Sequence, residues 1–137
     1  MSETVETLIR KSFQKQSMMR TLGAQIDSIE PGVVTISAPI LASSRQQHGV
    51  AHAALTFALG DTAAGYAALS VMDPGCEVMT AEIKINLLAP GRGERLVARG
   101  KVLKPGRRLI VVSAEVFAHQ ESQETLIAVL QGTMVPV

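Results

Sequence analysis

Apolar residues recur along the first 22 positions at the three- and four-residue spacing of one helical face. Val5, Leu8, Ile9, Phe13, Met18, Met19 and Leu22 stand among charges, which predicts an amphipathic helix over residues 4–22 ending near Gly23. The period then shortens to two. Ala24, Ile26 and Ser28 before the Pro31-Gly32 turn, and residues 33–40 after it, predict a hairpin whose second strand stops pairing at Pro39. A polar loop over residues 42–49 leads into residues 50–72, a run dominated by Ala, Leu, Phe and Val. A helix that is apolar all round must be covered on nearly every side. Beyond the Asp73-Pro74-Gly75 break, β-type runs occupy residues 76–88, 94–104, 107–119 and 125–135, separated by Pro90-Gly91-Arg92-Gly93, Pro105-Gly106 and the polar stretch 119–123. In the first of these, Thr80, Glu82, Lys84 and Asn86 alternate with Ala81, Ile83, Ile85 and Leu87, which predicts a wet face carrying Thr80 and a packed face opposite.

Two strands, a long helix and four strands make an α+β order, and a strongly curved antiparallel sheet wrapped around the central helix satisfies it. The 137 residues suit one domain spanning residues 1–137, without repeats or linkers to divide it. Residues 50–72 are long enough to span a bilayer. His52, Thr56, Asp61, Thr62, Tyr66 and Ser70 interrupt the run, and it lacks flanking basic or aromatic anchors, so a buried helix is the better reading. Thirteen Lys and Arg against 12 Asp and Glu leave a net charge of +1, no footprint for nucleic acid or an anionic membrane surface. Aromatic residues at 3%, with no Trp, exclude a base-stacking platform. Cys76 stands alone, so no internal disulfide forms, no zinc set is completed and no metal site is expected; a reducing cytoplasm is the simplest compartment. The charged first 15 residues carry no apolar core of a secretory signal.

Asp61 interrupts the most apolar segment of the chain, and a buried carboxylate costs several kcal/mol unless it is paired or functional. It is either a helix-interior Asp bonded to a neighbouring hydroxyl such as Thr62, or a general base or nucleophile tuned by a dry pocket. His52 opens the same helix. Nine positions at about 100° each put the two half a turn apart, so a His–Asp dyad within one helix is poor geometry. A site using both would draw them from two copies of the chain, as a C2 dimer does. The N–H groups near Ala53 and Ala54 lie at the positive end of the helix dipole, where an oxyanion is stabilised; small residues there serve tight packing equally well. Gln46, in the loop before the helix, could add a donor.

The stretch from Gln46 to Tyr66, QQHGVAHAALTFALGDTAAGY, resembles the signature of hotdog-fold acyl-CoA thioesterases of the PaaI-like, phenylacetate-degradation type. Gln46, His52 six residues on and Asp61 nine further stand at that family's spacing, and residues 80–90 and 102–109 resemble its following strand and turn. The resemblance implies the hotdog fold and hydrolysis of a phenylacetyl-type or medium-chain acyl-CoA, with coenzyme A as part of the substrate and no metal or redox cofactor. It assigns Asp61 as the carboxylate that activates water or attacks the thioester. Gln46 and the N–H of Ala53, the residue after His52, polarise the carbonyl, and Thr80 positions the water. It also implies a homodimer, assembling to a homotetramer, in which one subunit supplies the carboxylate and its partner the loop and helix start. Ala54, Gly65 and Leu88 would border the acyl thioester. Arg92, Lys104, Gly106, Arg107 and Arg108 would hold the coenzyme A along one rim, although basic residues at turns are also ordinary solvated surface. Two positions depart from the pattern: Ala53-Ala54 stands for Gly-Gly, and Gly65 stands where some relatives carry a Ser or Thr that holds the water. A non-catalytic acyl-CoA-binding protein and an acyl thioester hydratase or dehydratase remain the alternatives.

Overall fold

A computed structural model describes residues 3–137, with side chains from residue 5 onward. The leading segment is two helices, α1 (Glu3–Gln14) and α2 (Ser17–Leu22), where the periodicity predicted one. The break falls at Lys15-Gln16, where Gln16 is extended (φ −81°, ψ 97°). The break goes with a contact far away in the chain: the Gln16 amide donates to the Tyr66 hydroxyl at 2.8 Å. The break also lets Met19 turn inward while Met18 stays exposed. Gly23, left-handed at φ 72°, closes α2 as predicted, with its N–H and that of Ala24 satisfying the carbonyls of Arg20 and Met19.

Strands β1 (Gln25–Glu30) and β2 (Val33–Pro39) form the predicted hairpin around Pro31-Gly32. After α3 (Ala53–Leu69) come β3 (Val78–Leu87), β4 (Arg95–Pro105), β5 (Ile110–Gln120) and β6 (Gln123–Pro136). The six strands make one antiparallel sheet in the order β1-β2-β4-β5-β6-β3. Leu55, Leu59, Ala63 and Ala67 of α3 pack against Val34, Ile36, Leu96, Ala98, Val112 and Leu130 of the sheet. Gly100 of β4 lets the two layers meet: a Cβ there would lie 2.5 Å from the backbone N of Ala64 and closer still to the Ala63 carbonyl.

Helix α3 is shorter than the apolar run that predicted it. Ala51 is held in a bridge with Arg45, and His52 is extended (φ −67°, ψ 143°) and caps the helix. Nor is α3 covered on nearly every side. Ala54 and Phe57 are exposed and Ala58 and Asp61 half-exposed, leaving one stripe of the helix bare within a single chain. The edge strand β3 is equally open, with Met79 58% and Leu87 57% exposed.

Candidate active site

The alternation along β3 breaks at one residue. Thr80 pairs with Met134 and Glu82 with Thr133, so Ala81 is an extra residue, a β-bulge. Strict alternation put Thr80 on the wet face with Glu82. The bulge turns it to the other face instead, beside buried Met134, and its hydroxyl donates to Asp61 Oδ1 at 2.7 Å. Glu82 keeps the outer face, where its carboxylate accepts from Thr133. Asp61 of α3 is therefore bonded to Thr80 of β3 rather than to the adjacent Thr62. Asp61, Thr80 and Gly65 line a cavity of about 160 Å³. A Cβ on Gly65 would meet only Met134 Cε, at 3.9 Å, so that wall is open.

The start of α3 is built by the loop before it. Arg45 donates to the carbonyls of Gly49 (2.7 Å) and Ile40 (2.9 Å), His52 N–H donates to Ser44, and Ala51 N–H to Gly91. The Gln46 side-chain oxygen accepts from the His48 N–H, which leaves its amide NH2 without an acceptor among the described residues. His52 Nδ1 accepts the Ala54 N–H at 2.8 Å. Of the two N–H groups expected to be open, Ala54's is thus spent on the cap. Ala53's has no acceptor among the described residues and stands at the positive end of α3. Gln46, His52, Ala53, Leu88 and Arg92 share a cleft of about 620 Å³.

The two groups of residues do not meet in one chain. Ala53 and Asp61 are eight residues apart, about 12 Å along the helix axis at 1.5 Å per residue. An oxyanion donor and a base must each come within about 3 Å of the same reacting group. The half-turn count from His52 does not apply, because a capping residue lies outside the helix; the axial separation carries the conclusion. Ala54 points along the bare stripe of α3 and lines neither the cleft nor the cavity.

The basic residues expected along one rim are split. Arg92 lies in the cleft at the start of α3, while Gly106, Arg107 and Arg108 line a third cavity with Val71, Met72 and Asp73 beyond the helix's other end. The 11 residues of β4 separate them, roughly 35 Å of extended chain. Lys104 sits near the far end of β4, exposed, beside the β-bulge at Leu103. The two groups therefore stand at opposite ends of α3 rather than along one rim.

Sequence reasoning missed Ser12, Gln16 and Tyr66, which also line the Asp61 cavity. Tyr66 is the only tyrosine of the chain and interrupts the apolar run, a signal that was there to use. Ser12 and Gln16 carry no signal, since their partner is 50 or more residues away.

Residues 48–125, more than half of the chain, match the family model described as the thioesterase superfamily. The acyl-coenzyme A thioesterase PaaI of Escherichia coli is 26% identical over 115 residues, 83% of this chain and 80% of that protein. The crystal structure of a thioesterase family protein from Silicibacter pomeroyi superposes with a TM-score of 0.95 at 40% identity, covering 97% of this chain and 98% of that one. The structure of the Escherichia coli PaaI protein from the phenylacetic acid degradation operon has a TM-score of 0.88 at 23% identity over 99% and 95% of the two chains, a likeness of fold.

Proposed function

The chain belongs to the thioesterase superfamily and has its hotdog fold, and from that premise we propose that it hydrolyses an acyl-CoA thioester at sites completed by a second copy of itself. The observation that carries this reading is the Asp61 carboxylate held by Thr80 at 2.7 Å in a cavity beside the bare stripe of α3. Thr80 spends its only proton on Asp61 Oδ1, so its lone pairs can still accept from a water, and Oδ2 remains to take that water's proton. The Ala53 N–H and the Gln46 amide of the partner would meet the carbonyl oxygen, whose negative charge grows as the C–O bond to water forms. Collapse of the tetrahedral intermediate breaks the C–S bond. The proton held by Asp61 passes to the departing sulfur, giving a free acid and coenzyme A. Direct attack by Asp61, through an anhydride opened by water, balances equally and uses the same residues. Neither route needs a metal or redox cofactor.

Two copies are favoured by what one chain leaves bare. The Ala54, Phe57, Ala58 and Asp61 stripe and the open edge of β3, with Met79 and Leu87, are exposed together, and unpaired strand edges invite pairing with another chain. Pairing of dimers into a tetramer belongs to the same reading. We take the acyl group to be phenylacetyl-type, as the phenylacetic acid degradation operon of the PaaI protein suggests, with a medium-chain group as the alternative. No helix of the described residues is long and apolar enough to cross a membrane, and the lone Cys76 favours a reducing, cytoplasmic setting.

The test is thiol release over a panel of aromatic and aliphatic acyl-CoAs, run with a solution mass. Asp61→Asn should cut kcat by about 10²- to 10⁴-fold, the range of a lost general base. A folded Asp61→Asn protein with wild-type turnover would overturn the assignment.

A further inference from the structure

The cavity that holds Asp61 has an unusual wall for a group that is to receive an acyl chain. Its volume is about 160 Å³, close to the ~150 Å³ of an engineered apolar cavity that accepts one benzene. That apolar cavity is lined by Leu, Ile and Phe; this one presents a hydrogen-bonded chain. Tyr66, 3% exposed, bonds through its hydroxyl to Ser12 Oγ and to the Gln16 amide, both at 2.8 Å. Tyr66 lies five residues beyond Asp61 on α3, about 7.5 Å further along the axis, and the trio and the carboxylate line the same cavity.

The trio's hydrogen-bonding capacity is not exhausted. The Gln16 side-chain carbonyl has no donor among the described residues, and its amide keeps a second N–H. Whichever hydroxyl of Ser12 and Tyr66 donates to the other, one O–H proton and a Ser12 lone pair stay free. An alkyl tail in this cavity would strip water from these groups and return nothing, whereas a tail ending in a hydroxyl, keto or amide group would replace the water it displaces. The α1–α2 break is what brings Gln16 here, since its extended backbone aims the side chain at Tyr66.

Resting on the thioesterase reading above, with the acyl group lying in the cavity beside Asp61, we infer that Ser12, Gln16 and Tyr66 are specificity-determining residues that select, in place of an unsubstituted phenylacetyl or medium-chain group, short acyl groups carrying a hydrogen-bonding group at the far end. The leading helices thereby act as the polar end wall of the acyl cavity.

The experiment compares kcat/KM for matched thioesters differing only at the tail, butanoyl-CoA against 4-hydroxybutanoyl-CoA and hexanoyl-CoA against 6-hydroxyhexanoyl-CoA. The wild-type protein should prefer the hydroxylated member of the shorter pair by at least about five-fold, the effect of one hydrogen bond. Gln16→Met and Tyr66→Phe, which keep side-chain size, should each erase that preference and together reverse it. Tyr66→Phe retains the ring that packs against Phe13 at 6.2 Å, and Gln16→Met serves should that variant fold poorly. Equal preference in wild type and variants, with turnover intact, overturns the inference and leaves the thioesterase reading standing. Absence of thiol release from all four members, with other acyl-CoAs turned over, overturns the inference alone; absence across the whole aromatic and aliphatic panel overturns both.

Discussion

Two glycines on facing elements should respond to the same substitution in opposite directions. A Cβ added to Gly100 would sit 2.5 Å from the N of Ala64 and nearer the Ala63 carbonyl, against an ordinary carbon contact of about 3.5–4.0 Å. The obstacle is helix backbone, which cannot rotate away as a side-chain tip can, so α3 must back off the sheet by about 1 Å or more. Overpacking of this kind costs about 1–3 kcal/mol. With Leu59, Ala63 and Ala67 all fully buried at this seam, the upper end applies. At about 3–5 °C per kcal/mol for a chain of this size, Gly100→Ala should lower Tm by about 10 °C. Gly65 is the counterpart. Its added Cβ would meet only Met134 Cε at 3.9 Å, and replacing a helix-interior glycine by alanine gains up to about 1 kcal/mol. Gly65→Ala should therefore raise Tm by a few degrees. Thermal unfolding followed by circular dichroism, at one fixed protein concentration because assembly shifts Tm, measures both. Gly100→Ala melting together with wild type would refute the account of how α3 rests on β4, and Gly65→Ala melting below it that of the open space between Gly65 and Met134 of β6.

Three further outcomes bear on the site. Thr80→Val keeps shape but removes the donor to Asp61 and the acceptor for water; kcat should fall about 10- to 100-fold with KM nearly unchanged, and an unchanged kcat would remove Thr80 from the reaction. His52→Ala should cost about 1 kcal/mol through the lost cap while His52→Asn restores it, read by urea unfolding; equal losses in both variants would argue that the imidazole does more than cap. Mixing Asp61→Asn with Gln46→Ala chains, each inactive by itself, should return about a quarter of wild-type turnover, because half of randomly paired dimers are mixed and each holds one intact site. No recovery in a mixture shown to exchange subunits would place both residues in a site of a single chain.

Much of this protein is readable before any folding is considered. The hairpin at Pro31-Gly32, the long helix and the last four strands all follow from local periodicity and turn residues, because a side chain's burial repeats with the geometry of its own element. Membership of the thioesterase superfamily is likewise legible without folding, since residues 48–125 match its family model. Tertiary structure decided the rest, and in each case the deciding contact is distant in the chain. The leading helix breaks at Gln16, whose amide bonds to Tyr66, 50 residues on. Thr80 faces Asp61 because β6 pairs with β3 around one extra residue, and a period of two has no memory across a bulge. Arg92 and Arg107 look adjacent as basic turn residues, yet an 11-residue strand holds them at opposite ends of α3. Which N–H remains free at the helix start was settled by a side-chain rotamer, that of His52. Period and composition say what each segment is; only pairing across the sheet says which polar groups are left with nothing to bind.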